Sequence, residues 1–180
     1  MKKAIDAIRE KDANRFIIAD GRENGNKPTA MIRELGVAQS MRGYYPSIVS
    51  HYLAGWVEGA MDFPSPRWPC GVLNIHGVME NDASGRDCLW ENYYKRWEDY
   101  IVSNDVMVGE WGAHNKTPHE IVLSWMEDTL KLYKEFNLGW ALWNFIGSFG
   151  IIDSGRTDVK YENINGYMVD RKMLELLQKY

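Results

Sequence analysis

Four short apolar runs alternate with helical patterns along this chain, and this alternation restricts the fold more than any other feature. The runs cover residues 15–21, 37–41, 106–110 and 138–145. Parallel strands need long crossovers, usually helices, whereas antiparallel neighbours can be joined by tight turns. The alternation therefore predicts an α/β fold with right-handed crossovers and a parallel sheet. Residues 15–21 are apolar almost without interruption, so we expect this first strand to be buried on both faces.

Helical patterns lie between and around these runs, at residues 2–11, 28–35 and 87–102. A further helix begins near Thr117, where Thr117 and Glu120 have the spacing of a capping box, and a last helix begins at Asp170 as its N-cap. Apolar residues recur every three or four positions in these helices, which predicts buried stripes. The expected stripes are Leu89, Tyr93, Trp97 and Ile101, then Val122, Met126, Leu130 and Tyr133, and finally Met173, Leu174 and Leu177.

The 180 residues suit a single domain, 1–180, with a long loop at about 44–87. The chain carries 21 Lys and Arg against 25 Asp and Glu, a net charge of −4 without a basic cluster, which argues against nucleic-acid binding. No apolar stretch approaches the roughly 20 residues of a membrane span. The first residues turn polar too early for a secretory signal peptide, and the compartment stays undecided.

Aromatic residues are unusually frequent, with eight Trp and ten Tyr. Flat aromatic faces suit a sugar cleft as well as a core, and composition alone favours the core. Cys70 and Cys88 are compatible with one disulfide or with two thiols. Together with the four histidines they form no zinc pattern, so we expect neither a metal nor a cofactor.

Parallel α/β sheets place their functional groups at the carboxyl ends of the strands. Glu110 stands out there, because an ionised carboxylate at the end of a buried strand is costly unless it is hydrogen-bonded or faces a cleft. Two-residue periodicity predicts that Glu110 shares one face of its strand with Val106 and Val108. The spacing leaves open whether Glu110 faces a cleft or pairs with a surface cation. The expected strand-end residues are Asp20, Arg42 with Tyr44, Glu110, and Trp143 with Asn144.

Several motifs resemble the second half of the (β/α)8 barrel of glycoside hydrolase family 5, which contains cellulases, mannanases and related β-glycanases. Residues 108–112, Val-Gly-Glu-Trp-Gly, and 139–145, Gly-Trp-Ala-Leu-Trp-Asn-Phe, resemble its last two strands. Residues 16–21 look like its fifth strand, and 149–154 are similar to its loop after strand eight. Residues 42–46, Arg-Gly-Tyr-Tyr-Pro, stand where the family usually has His-x-Tyr-x-Pro after strand six.

This resemblance implies half of a TIM (β/α)8 barrel, with four parallel strands that match family strands five to eight, and a retaining hydrolase of β-glycans such as cellulose or β-glucan. Glu110 then matches the catalytic nucleophile, Tyr44 the tyrosine whose hydroxyl touches it, and Trp143 the aromatic floor beneath the sugar. A Trp packed in the core is the alternative for Trp143. The substrate-binding residues implied by the resemblance are Tyr44, Trp143, Arg42, His51, Asn144 and Trp111.

Two departures from the family pattern limit what the chain can do alone. Arg42 replaces the family histidine, and it is interpreted either as a partner of a carboxylate or sugar hydroxyl or as a surface ion pair. His51 either lines the cleft or is simply solvated. The acid/base Glu of the family follows an Asn at the end of strand four, and no Asn-Glu pair occurs in this chain.

Half a barrel exposes two sheet edges and an inner face, so we expect it to associate with a missing amino-terminal half or with a second copy. Alone, it is expected to hydrolyse β-glucans negligibly. The alternative is a catalytically inactive carbohydrate-binding or assembly fragment. A truncated piece of a longer enzyme is the third possibility. Family enzymes are commonly exported, but the sequence does not decide the compartment.

Overall fold

The computed structural model describes residues 1–68, 85–103 and 105–180. Its sheet has four parallel strands in the order β1-β2-β3-β4: Ile18–Asp20, Ala38–Gly43, Val106–Trp111 and Trp140–Leu142. Helices flank this sheet, so the predicted α/β fold with a four-stranded parallel sheet is confirmed. In the described part of the chain, no helix has the length and apolar character needed to cross a membrane.

The helices follow the predicted order, with short helices added after the first strand and in the long loop. Their bounds are α1 Lys2–Lys11, α2 Arg22–Gly25, α3 Ala30–Glu34, α4 Ser47–Ser50, α5 Gly85–Asn92, α6 Glu98–Val102, α7 His119–Glu135 and α8 Arg171–Lys179. Two 3-10 helices cover Ala60–Asp62 and Tyr94–Trp97. The pattern predicted as one helix over 87–102 is thus three shorter pieces. Asn92 contributes to the break, because its side chain donates to the carbonyl of Cys88 at the end of α5.

Aromatic side chains fill the core between the sheet and α5 to α7, as the composition predicts. Trp97, Trp111 and Trp125 are completely buried, and the hydroxyls of Tyr94 and Tyr133 lie 2.8 Å apart among them. The predicted stripe of α7 is also buried. The second cysteine, Cys88, is buried in α5, whereas Cys70 lies outside the described residues, as does any pairing between them.

The start of α7 differs from the predicted capping box. The hydroxyl of Thr117 donates to the carbonyl of Val49, 2.7 Å away. Instead, the carboxylate of Asp158, which comes from a distant loop, accepts a hydrogen bond from the backbone N–H of His119 at 2.7 Å. It thereby gives a partner to one of the N–H groups that have none within the helix at its start. At α8 the prediction is confirmed, because the side chain of Asp170 accepts from the N–H of Met173.

The first strand is not buried on both faces, and this prediction was wrong. Phe16 is 74% exposed and Ile18 is 41% exposed. The reason is position: β1 is an edge strand that pairs with β2 on one side only, within the described sheet. Phe145 and Ile146, which follow β4 at the opposite edge, are exposed as well.

A bulge in β3 changes which way its side chains face. Met41 pairs with Val108 and Arg42 pairs with Glu110, so Gly109 is an extra residue in β3. Val108 lies on the helix side of the sheet, whereas Glu110 contacts Arg42 on the other side. The prediction that Val108 and Glu110 share a face was therefore wrong.

A two-stranded antiparallel hairpin, β5 Glu162–Ile164 and β6 Tyr167–Val169, follows the sheet and was not predicted. Its turn contains Asn165 and Gly166 with φ of 53° and 91°. Asn-Gly is a strong signal for a tight hairpin turn because both positions need a positive φ. The sequence therefore did contain the signal that identifies this element.

Candidate active site

Glu110 lies at the carboxyl end of β3 with both carboxylate oxygens close to a partner. The hydroxyl of Tyr44 donates to Oε1 at 2.7 Å, and Nε of Arg42 lies 3.4 Å from Oε2. The Glu110 side chain is 24% exposed, so it is neither sealed in the core nor free on the outside. The bulge at Gly109 turns Glu110 to this side of the sheet.

Arg42 connects the ends of three neighbouring strands. Its Nη1 and Nη2 donate to the two oxygens of Asp20 at 2.9 and 3.1 Å, and Nη1 also donates to the hydroxyl of Ser40. Burial opposes the charge of Arg42, but the hydrogen bonds to Asp20 and the charge of Glu110 outweigh it and raise the pKa of Arg42. The hydrogen bond from Arg42 lowers the pKa of Asp20. Arg42 thus lies between two carboxylates, a contact that fits both the carboxylate-partner and the surface ion-pair interpretation of this residue.

Tyr44 acts as a permanent hydrogen-bond donor to Glu110. Burial raises the pKa of its phenol strongly, and the hydrogen bond to Glu110 raises it further. The hydroxyl therefore keeps its proton near neutral pH. Tyr44 precedes the cis peptide bond between Tyr45 and Pro46, and its backbone carbonyl accepts from the hydroxyl of Ser50.

His51 lies beside Tyr44, with ring centroids 4.8 Å apart, so its ring is packed into the site instead of fully solvated. The hydroxyl of Ser50 donates to Tyr44, so the Nδ1 of His51, 2.8 Å away, is assigned as a donor to that hydroxyl. Burial and the nearby His114 lower the pKa of His51 to about 4. His51 is therefore uncharged near neutral pH.

Phe149 joins this region to the loop after β3. Its ring contacts those of Tyr44, His51, Trp56 and His114, at centroid distances from 5.7 to 6.3 Å. Burial lowers the pKa of His114, whose Nδ1 lies 3.0 Å from the carbonyl of Tyr52. The exposed Trp56 packs edge-on against His114. An apolar and aromatic wall thus adjoins the Glu110–Tyr44 pair.

Arg156 holds the loop between β3 and α7 in place, and sequence reasoning missed it. It is buried, and its guanidinium donates to the carbonyls of Thr117, Ala113 and His114 at 2.7, 2.9 and 3.3 Å. Burial lowers the pKa of Arg156. Nothing in the spacing of the sequence marks this arginine, because its acceptors are backbone carbonyls about 40 residues away.

Trp143 and Asn144 follow β4, the strand next to β3. The backbone N–H of Trp143 donates to the carbonyl of Trp111 at 2.7 Å, and the Trp143 side chain is 50% exposed. Trp143 is therefore not enclosed in the core formed by the described residues. Asn144 accepts from the backbone N–H of Phe149 at 3.3 Å and helps to shape the loop that carries that ring.

Trp111 does not belong to the accessible site, and its predicted contact with substrate was wrong. Its side chain has no exposed surface and packs against Trp125, Tyr133 and Trp140 on the helix side of the sheet. The physical reason is the strand geometry, since Trp111 follows Glu110 and faces the opposite way.

Among the described residues, no group of three or more His, Cys, Asp or Glu is arranged to hold a metal ion.

This arrangement is suited to holding a carboxylate in one orientation at the rim of a parallel sheet. A neutral phenol donates a hydrogen bond to one of its oxygens, and a charged guanidinium lies at ion-pair distance from the other. Sugars bind where such polar groups adjoin aromatic faces.

Comparisons with known proteins point to glycoside hydrolases of the cellulase type. The chain is 24% identical over 185 aligned residues to Endoglucanase C of Acetivibrio thermocellus, an alignment that covers 92% of this chain and 54% of that protein. No model of a known protein family matches the chain. The chain spans about half the length of the curated relatives it matches.

Solved structures show the same relationship. One, described as a glycoside hydrolase, is 42% identical with a TM-score of 0.86, and the match covers 98% of this chain and 52% of that one. An endoglucanase of Thermotoga maritima has a TM-score of 0.71 at 22% identity, with the same coverage. The structural neighbours are cellulase TIM barrels, and this chain corresponds to about half of such a barrel.

Proposed function

We propose that this chain is the nucleophile-bearing half of a retaining β-glycan hydrolase of the endoglucanase type, similar to glycoside hydrolase family 5. The observation that carries the proposal is the 2.7 Å hydrogen bond from Tyr44 to Glu110 at the carboxyl end of the sheet. These are the two residues that the family resemblance pairs. The 42% identity to a glycoside hydrolase of known structure supports the same class.

In the proposed reaction, the carboxylate of Glu110 attacks the anomeric carbon and forms a glycosyl-enzyme, while a second carboxylic acid gives its proton to the departing oxygen. Water then releases the sugar, and that second group acts as the base. The two carboxyl groups of a retaining enzyme lie about 5–5.5 Å apart. Asp20 is poorly suited to be the acid, because Arg42 lowers its pKa whereas a general acid needs a raised one.

The acid is therefore proposed to come from a partner: a missing amino-terminal half-barrel, or a second copy in a self-associated form. The relatives are about twice as long as this chain. Both edges of the described sheet bear exposed apolar side chains, Phe16 and Ile18 at β1 and Phe145 and Ile146 beyond β4. Unpaired parallel edges with apolar borders favour the addition of further strands.

The proposed substrate is a β-linked oligo- or polysaccharide. A Thermotoga maritima enzyme of the same fold has been solved with mannotriose and with cellobiose. In this chain, Trp143 offers a half-exposed indole, while His51 and Asn144 lie on loops beside the Glu110–Tyr44 pair. We propose that these side chains, with Arg42, line the sugar site.

The direct experiment mixes this chain with an amino-terminal half taken from the 42% identical relative and measures sugar release from β-1,4-glucan. We expect activity from the mixture and negligible activity from the chain alone. Glu110→Gln keeps the shape but removes the nucleophile, so it should abolish turnover. The matched control is Glu175→Gln on the exposed side of α8, which should retain full activity. Turnover unchanged by Glu110→Gln, or full-rate turnover by a demonstrated monomer, would refute the proposal.

The second candidate function is a carbohydrate-binding or assembly fragment without chemistry. It is favoured by the half-exposed Trp143 together with the missing Asn-Glu pair. Titration of cello-oligosaccharides with Trp fluorescence separates the two. Binding that is lost in Trp143→Ala, is indifferent to Glu110→Gln and never leads to turnover would support this candidate.

The coding DNA before Met1 tests whether the chain is part of a longer enzyme. An in-frame continuation with Asn-Glu at the end of a strand would supply the acid in the same polypeptide. The nucleophile assignment would stand, and the partner would then be intramolecular.

A further inference from the structure

Two of the eight tryptophans are exposed, and both lie on segments that follow the neighbours of β3. Trp56 is 63% exposed and Trp143 is 50% exposed, whereas the other six are buried or half-buried. Trp56 lies in the segment after β2 and Trp143 follows β4, so the two indoles come from either side of the strand that carries Glu110. Single exposed apolar side chains are ordinary on a protein surface, but exposed rings that collect at one polar site indicate a binding surface.

The segment that carries Trp56 is a series of hydrogen-bonded turns. The N–H of Ala54 donates to the carbonyl of His51 at 3.0 Å, and the N–H of Val57 donates to the carbonyl of Ala54 at 2.9 Å. Ala54 itself has no exposed surface. The backbone on both sides of Trp56 is therefore fixed while its side chain stays exposed. A ring held in this way can bind a ligand without the cost of ordering a loop.

His114 supports the indole of Trp56 and is itself fixed by the backbone. The two ring centroids lie 4.8 Å apart with the ring planes at 83°, which is an edge-to-face contact. The N–H of His114 donates to the carbonyl of Ser50 at 2.8 Å, and Arg156 donates to the carbonyl of His114. Since 63% of the Trp56 side chain stays exposed, at least one flat face of its indole is open to solvent.

A continuous row of rings connects Trp56 to the Glu110–Tyr44 pair. The ring centroid of Phe149 lies 6.3 Å from that of Trp56 and 6.1 Å from that of Tyr44. Tyr44 in turn donates to Glu110 at 2.7 Å. Pyranose rings present apolar C–H faces to aromatic side chains and carry hydroxyls at their rims, so a glycan held at Glu110 can extend along this row.

The imidazoles in this row offer hydrogen-bond acceptors without charge. Nδ1 of His114 lies 3.0 Å from the carbonyl of Tyr52, which can only accept, so the hydrogen is assigned to Nδ1 and Nε2 carries the lone pair. The same assignment holds for His51, whose Nδ1 donates to the hydroxyl of Ser50. Burial lowers the pKa of both imidazoles, so both are uncharged near neutral pH. Neutral sugars, whose hydroxyls donate, match such a surface.

We propose that Trp56, supported by His114 and Phe149, forms a second sugar-binding subsite for a β-linked glycan chain whose cleaved bond lies at Glu110. The identity of the ligand rests on the proposed function, and the glycan then spans two indoles, Trp143 and Trp56. The subsite favours long glycans over short ones, because only a long chain contacts both indoles at once. It takes no part in bond cleavage itself.

The first test is oxidation of exposed indoles by N-bromosuccinimide, in the chain alone and in its mixture with the amino-terminal half. Mass spectrometry of the peptides that contain Trp56 and Trp143 gives the oxidation rate of each. We expect cellopentaose at about ten times its Kd to slow the oxidation of Trp56 about tenfold, since only the unbound fraction reacts. Trp125, which has no exposed surface, is the internal control and should stay unmodified in every sample.

Calorimetric titration of variants gives a second, independent measurement. Trp56→Ala should weaken the binding of cellopentaose about tenfold and that of cellobiose less, because it removes one of two aromatic surfaces that only the longer sugar contacts together. Trp56→Phe keeps a flat ring and should recover most of the affinity. Met61→Ala is the matched control, because Met61 is 61% exposed on the 3-10 helix that follows Trp56, and it should bind both sugars as wild type does.

Unchanged oxidation of Trp56 at saturating cellopentaose, in the chain and in the mixture, would overturn the subsite. Protection of Trp56 by the amino-terminal half without sugar would overturn it too, because the indole would then belong to the contact between the halves. A mixture that never cleaves glucan would refute the proposed hydrolase but would leave protection by cellopentaose intact. Turnover of long glucans that is indifferent to Trp56→Ala would refute the subsite and leave the hydrolase standing, so the two failures are distinguishable.

Discussion

Arg156 is expected to be among the residues that contribute most to stability outside the apolar core. Its buried guanidinium satisfies the carbonyls of Thr117, Ala113 and His114. In Arg156→Met the volume is roughly kept, but the carbonyls of Thr117 and Ala113 lose their donor, whereas the carbonyl of His114 still accepts from the N–H of Thr117. A buried polar group left without a partner costs about 1–3 kcal/mol. Taking the low end for each of the two, the free energy of unfolding should fall by about 2 kcal/mol.

Urea denaturation followed by Trp fluorescence measures this loss. With a slope of about 2–3 kcal/mol per molar urea, the midpoint should fall by about 0.7–1 M. Arg171→Met is the control, because Arg171 pairs with Glu162 on the surface, and such pairs contribute about 0–1 kcal/mol. A midpoint for Arg156→Met that matches Arg171→Met would refute the reasoning, since it would mean that water satisfies the two carbonyls as well as the guanidinium does.

Three further predictions concern the site and the strand that carries it. The pKa of His51 is lowered from 6.5 to about 4, so the unfolded chain binds a proton at this residue more readily than the folded chain does. The stability that neutral His51 contributes is complete above pH 6.5 and is lost as the pH falls toward 4. At about 1.4 kcal/mol per pKa unit, this loss amounts to up to about 3 kcal/mol. Urea midpoints between pH 7 and 4 should fall less in His51→Gln than in wild type, and equal falls would contradict this. Trp111→Ala should lower the free energy of unfolding by about 3–5 kcal/mol, because it empties a core position. Trp111→Phe, which keeps an aromatic ring at this position, should bind cello-oligosaccharides as tightly as wild type does. Weaker binding in titrations would indicate that Trp111 contacts the sugar after all. Gly109→Ala should destabilise the chain by about 1–3 kcal/mol through its collision with Ser40, as thermal unfolding would show, and an unchanged Tm would argue against the bulge.

Local patterns were sufficient for most of the fold. The stripe of α7 and the N-cap at Asp170 involve residues a few positions apart, so the sequence contains the information in one place. The hairpin at Asn165 and Gly166 was equally readable, although it was not predicted. The capping box failed because the acceptor at the start of α7 is Asp158, which comes from a loop almost 40 residues away.

The candidate site was predicted in part. Tyr44 and Glu110 were paired by the family resemblance, and the structure brings them within 2.7 Å although they are 66 residues apart. The link from Asp20 through Arg42 to Glu110 was not predictable from spacing, because it depends on the register of three strands. Arg156 was missed for a similar reason, since its partners are backbone carbonyls that any sequence possesses.

The sequence by itself determined the order of helices and parallel strands and the strand ends at which polar groups collect. Periodicity within a segment is enough for this, because each segment buries its own apolar face. Only the tertiary structure decided that β1 lies at an edge, that Trp111 is enclosed in the core and that Glu110 turns toward Arg42. Those outcomes depend on neighbouring strands and on one extra residue at Gly109, which reverses the alternation of side chains that a regular strand would have.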